Sequence, residues 1–134
     1  MIVVDTKVIA YFVIPGPLSP VAEQVWEKDL QWASPQLWRS EMRNLLALYL
    51  RHKTFNLEEI KVYMNDAEVL VSGREFGVDS ADVLDLASKS GCTSYDCEFV
   101  SVAERLAVPL ISADKKVLAA FPSVAISMAE FVAS

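Results

Sequence analysis

Four acidic residues stand out because each follows or interrupts an apolar stretch of the sequence. Asp5 and Asp114 come just after short apolar runs, and Glu41 and Asp96 fall on the apolar sides of predicted helices. Ligand sets made only of carboxylate oxygens select hard divalent cations such as Mg²⁺ or Mn²⁺ over Zn²⁺. The only histidine, His52, would lie about 16 Å from Glu41 along one helix, so it cannot bind the same ion. These residue types predict a magnesium or manganese site.

A cluster of these acids would need a cation for electrostatic reasons. Two carboxylates about 6 Å apart repel each other by roughly 3 kcal/mol at an effective dielectric constant of about 20. Each further carboxylate adds more such pairs, so four of them persist together only when protons or a cation neutralise them. The prediction therefore depends on whether folding brings Asp5, Glu41, Asp96 and Asp114 to one place.

Glu41 interrupts the apolar face of a helix predicted over residues 35–52. At about 100° per residue, Leu37 and Leu45 lie about 40° to either side of Glu41, which centres the carboxylate in the apolar stripe. An unpaired charge in that position costs several kcal/mol or becomes protonated. Either a buried arginine or lysine pairs with Glu41, or the residue has a functional role.

Asp96 shows the same anomaly in a helix predicted over residues 94–106. Val100 and Ala103 place Asp96 on the apolar side of this helix, whereas Glu98 is predicted on the solvent side. Asp96 also lies in the first turn, where the helix dipole favours an anion without any ligand. The position therefore allows either a binding role or a purely local one.

Short apolar strands alternate with helices along the chain. Strands are predicted at 2–4, 30–33, 108–112 and 124–126, and helices at 35–52, 57–71, 80–90, 94–106, 115–120 and 128–132, with another helix starting at Ser19-Pro20. Apolar continuity within the strands is typical of a parallel sheet covered on both faces. We expect one α/β domain over residues 1–134, with a parallel sheet of about four to five short strands flanked by helices on both faces.

The ends of the strands indicate where a ligand would bind. In parallel α/β sheets the ligand site lies at the carboxyl ends of the strands. Asp5 follows the first predicted strand and Asp114 follows the strand at 108–112, so both would lie at that edge. The alternative for each aspartate is the common one, a side chain that only caps the following helix.

Composition and charge exclude some classes of protein. The chain of 134 residues is 53% hydrophobic, which excludes a disordered protein, and no apolar run reaches the roughly 18 residues of a membrane span. No signal peptide is expected, and Cys92 and Cys97 predict reduced thiols in the cytoplasm rather than a disulfide framework. The net charge of −6 argues weakly against nucleic-acid binding.

Three segments of the chain, in this order, resemble the PIN-domain family and, within it, the VapC-type toxins of toxin–antitoxin pairs. The segments are IVVDTKVIAYF at the N-terminus, SPQLWRSEMRNLL around Glu41, and TSYDCEFVSVAERLAVPLISADKKVLAAFP around Asp96 and Asp114. The third segment is the most specific. The resemblance covers essentially the whole chain.

The resemblance implies a PIN-like fold and a ribonuclease. It implies Mg²⁺- or Mn²⁺-dependent hydrolysis of RNA phosphodiester bonds, with Asp5, Glu41, Asp96 and Asp114 as the catalytic acids. Asp5 and Asp96 are expected to bind the metal, with Glu41 and Asp114 completing the shell, directly or through water. The resemblance also implies a toxin that forms a homodimer and is inhibited by a cognate antitoxin protein.

Further residues are predicted to support such a site. Thr6 and Ser112 are expected to hydrogen-bond the acids or a phosphate. Four basic residues are candidates for contacts with RNA phosphates: Arg39, Arg43, Lys115 and Lys116. Ordinary solvated surface charge is the alternative for each of the four.

Lys7 departs from the family pattern, in which a small polar residue usually stands at this position. Its ammonium could pair with the acids and weaken metal binding, or it could contact a phosphate. Lys7 therefore keeps a second hypothesis open, a catalytically weak or silent PIN-like module that acts through protein or RNA binding. It also disfavours a phosphatase of the haloacid-dehalogenase type, which needs a second aspartate there.

Overall fold

A five-stranded parallel sheet forms the centre of the molecule in the computed structural model, which describes residues 1–134. Its strands are β1 (Ile2–Val4), β2 (Trp32–Pro35), β3 (Glu75–Phe76), β4 (Leu110–Ile111) and β5 (Ala125–Ile126), in the spatial order β3-β2-β1-β4-β5. The helices are α1 (Thr6–Val13), α2 (Ser19–Lys28), α3 (Trp38–Arg51), α4 (Leu57–Leu70), α5 (Ser80–Ser90), α6 (Ser94–Leu106), α7 (Lys115–Ala120) and α8 (Met128–Ala133). The predicted α/β class is confirmed.

The central strand β1 is buried because it is covered on both sides and both faces. Every residue of β1, β2 and β4 is buried. β1 pairs in parallel with β2 through Ile2–Trp32 and Val3–Ala33, and with β4 through Val3–Leu110 and Val4–Ile111. This register aligns the carboxyl ends of the three strands at one edge of the sheet.

Helices cover both faces of the sheet. The connections from β1 to β2 to β3 step in one direction and contain α1 to α4, whereas the connection from β3 to β4 crosses back over the sheet and contains α5 and α6. Because parallel crossovers are right-handed, this reversal puts α5 and α6 on the opposite face. The contacts agree: α1 packs against α2, α3 and α4, while α6 packs against α5 and covers β1, β2 and β4.

Several helix caps that the sequence predicts are present in the structure. Asn56 and Glu59 make the predicted capping box at the start of α4. Asp79 caps α5, and Gly91 ends that helix with a left-handed backbone at φ 71°, a conformation that glycine adopts without strain. None of the eight helices is both long and apolar enough to cross a membrane.

The prediction that Ser34-Pro35 starts a helix is wrong. Both residues belong to β2, and α3 begins only at Trp38. Pro35 has no N–H to donate to β1, and the Ser34 hydroxyl donates instead to the Val4 carbonyl at 3.0 Å. A Ser-Pro pair therefore serves here at the end of a buried strand, where the hydroxyl satisfies an acceptor that the proline cannot.

Other boundaries also differ from the prediction. The loop expected between Gly73 and Gly77 contains β3, which pairs with β2 and extends the sheet. The helix α1 was not predicted, because its residues read as a continuous apolar run. The caps of α2 and α6 are Leu18 and Thr93 rather than serines, and the Ser19 hydroxyl bonds backbone groups of the preceding loop instead.

Candidate functional site

The carboxyl edge of the sheet holds a pocket that all four predicted acids line. Asp5 follows β1, Asp114 follows β4, and Glu41 lies in α3, which follows β2. Asp96 lies in the first turn of α6, which leads into β4 and therefore begins at the same edge. The cavity of about 80 Å³ is lined by Asp5, Thr6, Lys7, Glu41, Asp96, Phe99, Leu110, Ser112, Asp114 and Val117.

Asp5 is held by three hydrogen bonds that join β1, α1 and β4. Its Oδ1 accepts from the Val8 N–H at 3.0 Å, so Asp5 caps α1, and its Oδ2 accepts from the Ser112 hydroxyl at 2.8 Å and the Ala113 N–H at 2.9 Å. Burial raises the pKa of Asp5, while these donors and the nearby charge of Lys7 oppose the rise. The carboxylate is thus rigidly placed and incompletely compensated.

Glu41 is oriented by a threonine and repelled by its neighbours. The buried Thr6 hydroxyl donates to Glu41 Oε1 at 2.7 Å. Burial raises the pKa of Glu41, the Thr6 hydrogen bond opposes this, and the charges of Asp96, Asp5 and Glu98 raise the pKa further. These couplings show that the acids lie near enough to influence one another.

Glu41 lies at the border of the apolar face of α3 rather than at its centre. The residues of α3 that are buried are Trp38, Met42 and Leu46, a stripe beside Glu41. Leu48, which the sequence places on the same side as Glu41, is 40% exposed. The predicted stripe was displaced because α3 packs through its tryptophan side, and Glu41 is consequently half-buried and open to the pocket.

Asp96 is the least constrained of the four acids. Its backbone N–H is bonded by the Thr93 cap, but its carboxylate accepts no hydrogen bond and forms no ion pair. The predicted apolar neighbours Val100 and Ala103 are both fully buried. Asp96 therefore lies at the edge of the apolar side with free oxygens in the pocket.

Glu98 was predicted on the solvent side of α6, and in the structure it is only partly exposed. The side chain is half-buried, burial raises its pKa, and its charge contributes to the raised pKa of Glu41. Helical periodicity could not reveal this, because only the tertiary arrangement of α3 and α6 brings the two glutamates near each other. Glu98 is a fifth acid near the pocket, although it does not line the cavity.

Asp114 and Ser112 link the end of β4 to α7. Asp114 Oδ1 accepts from the N–H groups of Lys116 and Val117 at 2.8 and 3.2 Å, so this aspartate caps α7. The Ser112 hydroxyl, which donates to Asp5, accepts from the Asp114 N–H at 3.0 Å. Both aspartates that follow strands are therefore helix caps and pocket residues at once, so the two explanations are compatible.

The basic residues do not neutralise the pocket. The ion pairs of the molecule join the N-terminal amine to Asp29, and Arg39 to Glu68 and Glu75. Arg39 is thus part of an ion-pair network at β3 and is not at the pocket. The other three basic candidates are exposed and do not line the cavity: Arg43, Lys115 and Lys116. Lys7 alone among the basic residues lines it.

The donor set of the pocket fits a hard dication. The polar side chains that line it, apart from Lys7, are carboxylates and hydroxyls, which are ligands that Mg²⁺ and Mn²⁺ prefer. No three of them are arranged as a ready ligand set for one metal ion. Mg²⁺ usually keeps several waters and binds through one or two carboxylates, so an incomplete protein shell matches its chemistry.

A wider groove adjoins the acidic pocket. It has a volume of about 450 Å³ and lies between α1, the loop at 14–18 and the α3–α4 turn. Tyr11, Leu45, Tyr49 and Phe55 make much of its surface apolar, and Lys7 lines both this groove and the pocket. The two cavities therefore meet at Lys7.

Solved structures share this fold over almost the whole chain. PAE2754 from Pyrobaculum aerophilum superposes with a TM-score of 0.76 at 18% identity, covering 99% of this chain and 90% of that chain. FitAcB from Neisseria gonorrhoeae has a TM-score of 0.73 at 19% identity, covering 96% and 98%. FitAB bound to an IR36 DNA fragment has a TM-score of 0.72 at 20% identity, covering 96% and 95%.

The sequence itself identifies the family. No curated protein matches the chain, and at 18–20% identity the solved structures show only the shared fold. The family model for the PIN domain, however, matches residues 2–124, which include all four acids of the pocket. The chain therefore belongs to the PIN-domain family.

Proposed function

We propose that this protein is a metal-dependent endoribonuclease that hydrolyses RNA phosphodiester bonds in its acidic pocket. One observation carries the proposal: four carboxylates line one cavity, and no arginine or lysine forms an ion pair with any of them. A partly buried group of like charges of this kind is stabilised by protons or a cation. PIN domains are generally nucleases, which supports the same reaction.

The four acids divide into two pairs with different roles in this proposal. Asp5 and Asp96 would hold Mg²⁺ or Mn²⁺, and Glu41 and Asp114 would act through water. The bound ion would make water a stronger nucleophile near neutral pH and offset charge on the phosphate. Glu41 Oε2 and Asp114 Oδ2 accept no hydrogen bond from the protein, so each can accept one from water.

The hydrogen-bond network keeps these groups in place. Ser112 and the Ala113 N–H hold the Asp5 carboxylate, and Thr6 fixes one oxygen of Glu41. These donors leave Glu41 Oε2 without a hydrogen bond from the protein. Preorganised ligands of this kind reduce the rearrangement that the reaction needs.

Asp96→Asn tests the nuclease proposal most directly. The carboxylate has no hydrogen bond to lose, so the variant should fold with unchanged stability. We expect Mn²⁺-dependent cleavage of single-stranded RNA to fall by roughly 100-fold or more, because a charged ligand is removed. Gel analysis measures RNA cleavage, and calorimetric titration measures the binding of Mn²⁺.

Asp66→Asn is the matched control for that experiment. Asp66 is exposed on α4 and lies outside the pocket, so its variant should keep wild-type cleavage and wild-type Mn²⁺ binding. Wild-type activity in the Asp96 variant would refute the assigned role. A wild-type protein that neither binds Mn²⁺ nor cleaves RNA would instead favour the alternative, a silent module that acts through protein or RNA binding.

We further propose that this protein is a toxin that acts in the cytoplasm, forms a homodimer and is bound by an antitoxin protein. The VapC-like segments of the sequence support this assignment. The FitAB structure, which shares the fold, was solved bound to DNA. Both cysteines, Cys92 and Cys97, are free and buried, as expected of a protein in a reducing compartment. Co-purification with the product of the adjacent reading frame tests the complex with an antitoxin. Light scattering of the purified chain tests the homodimer.

A further inference from the structure

Lys7 is the only basic residue that lines the acidic pocket, and its position is electrostatically unusual. It is the second residue of α1, in the first turn of the helix. The amino end of a helix carries partial positive charge, which disfavours a cation there. The helix dipole therefore gives no electrostatic reason for a lysine at this position.

Lys7 does not serve as an ion-pair partner of the acids. Its side chain is exposed, and none of the ion pairs of the molecule within 4.0 Å involves it. Its charge still acts on the pocket, because it opposes the burial that raises the pKa of Asp5. The ammonium is near the carboxylates but keeps its three donors for solvent or a ligand.

The backbone around Lys7 is held firmly although its side chain is not. Thr6 is buried and bonded to Glu41, and Val8 is buried and donates its N–H to Asp5. The Cα of Lys7 is therefore anchored between two residues that contact the acids. Only the long side chain of Lys7 is free to change its conformation. Such a side chain can contact a flexible ligand in more than one position.

A phosphate that enters the pocket faces an electrostatic barrier. The four carboxylates repel it, and a single divalent ion balances only half of their charge. The remaining attraction must come from the protein, and Lys7 is the one cation available at the cavity. It also lines the adjoining groove, so it lies where a polynucleotide would pass out of the pocket.

We propose, on the basis of the ribonuclease function argued above, that the Lys7 ammonium binds a non-bridging oxygen of an RNA phosphate at the mouth of the pocket. Lys7 is then a substrate-binding residue that supplies positive charge beside the metal. The proposal concerns the binding of RNA and not the ligation of the metal. It can therefore be measured as RNA affinity, separately from cleavage.

The test compares Lys7→Met with Lys61→Met in RNA binding. Lys61 is exposed on α4, outside the pocket, and serves as the matched control. Fluorescence anisotropy of a single-stranded RNA of about 12 nucleotides is followed with Ca²⁺ in place of Mn²⁺, so that a dication offsets part of the carboxylate charge, over a range of salt concentrations. For Lys7→Met we expect RNA binding about three- to tenfold weaker. The slope of log K against log salt should become shallower by about 0.7.

Charge restoration and kinetics complete the test. Lys7→Arg should recover most of the affinity, and with Mn²⁺ the Lys7→Met variant should show a raised KM for RNA cleavage with a smaller change in kcat. If Lys7→Met binds RNA with wild-type affinity and slope, or loses no more than Lys61→Met, the proposal is overturned. If Lys7→Met instead loses stability with unchanged RNA binding, Lys7 is a structural counter-charge.

Failure of this proposal and failure of the nuclease function have different signatures. A wild-type protein that cleaves RNA with Mn²⁺, alongside a Lys7→Met variant with unchanged RNA affinity and unchanged KM, removes only the role of Lys7. A wild-type protein that neither binds nor cleaves RNA removes both proposals.

Discussion

At the scale of single residues, Asp5 accepts more hydrogen bonds than any other acid of the pocket. Val8, Ser112 and Ala113 all donate to it, whereas Asp96 accepts none. Repulsion among the acids, taken alone, would leave the metal-free protein at least as stable when either aspartate is neutralised. The structure separates the two residues, because only Asp5 has donors arranged around both oxygens.

Asp5→Asn should therefore destabilise the metal-free protein. An asparagine NH₂ placed at Oδ2 would face the Ser112 hydroxyl and the Ala113 N–H, which are both donors. We expect the free energy of unfolding to fall by about 1–3 kcal/mol. Urea unfolding in EDTA, with Asp96→Asn as the comparison, measures this loss, and equal stability of the two variants would contradict it.

At the scale of elements, the unpredicted strand β3 is tied to α3, the helix that contains Glu41. Glu75 in β3 accepts from Trp38 Nε1 at 2.6 Å and from Arg39 Nε and Nη2 at 2.7 and 2.8 Å. The pairing with Arg39, together with the Trp38 hydrogen bond, lowers the pKa of Glu75. These bonds fix the start of α3 relative to the sheet, and with it the direction in which Glu41 points.

Glu75→Gln should cost stability in a pH-dependent way. Because the pKa of Glu75 is lowered on folding, its contribution is present above its ordinary value of 4.5 and is lost as the pH falls through the lowered value. We expect a loss of about 1–3 kcal/mol at neutral pH, since a charge-assisted hydrogen-bond network is weakened. The loss should shrink below about pH 4, where the wild-type carboxyl becomes protonated.

Urea unfolding from about pH 7 to about pH 3 gives this profile. Glu23→Gln, on the exposed side of α2, is the control, and it should show little change at any pH. A difference between Glu75→Gln and wild type that stays constant over the whole range would show that charge does not contribute to the Glu75 network.

At the scale of the whole molecule, folding concentrates negative charge at one edge of the sheet. Burial raises the pKa values of Asp5 and Glu41 above their ordinary values, and for Glu41 the charges of neighbouring acids add to the rise. The two groups therefore favour the folded state when protonated, and this favourable contribution is lost as the pH rises through the raised pKa values. A dication bound at the pocket should reverse that loss.

Binding of Mn²⁺ should consequently strengthen with pH. Protons compete with the metal for the carboxylates, so affinity should rise until the pH passes the raised pKa values of Asp5 and Glu41. Glu41→Gln should shift this rise to lower pH, because it removes one titrating group whose pKa is raised. Calorimetric titration at several pH values tests this, and an unchanged pH profile in the variant would contradict it.

The sequence alone predicted the class of fold and which acids could meet. Buried strands, capping signals and the positions of Asp5 and Asp114 are local, because each depends on residues within a few positions along the chain. For the same reason, prediction from the sequence failed where local signals are ambiguous. Ser34-Pro35 resembles a helix start, and the apolar run of α1 shows no helical periodicity.

The tertiary structure decided how the acids are arranged. The order β3-β2-β1-β4-β5 makes β1 and β4 neighbours, so Ser112 bonds Asp5 across 107 positions of the chain. The packing of α3 through Trp38 turned Glu41 to the pocket, and the arrangement of α3 and α6 brought Glu98 near it. Such contacts depend on the direction of crossovers and on which helix face packs, and no short segment of sequence contains that information.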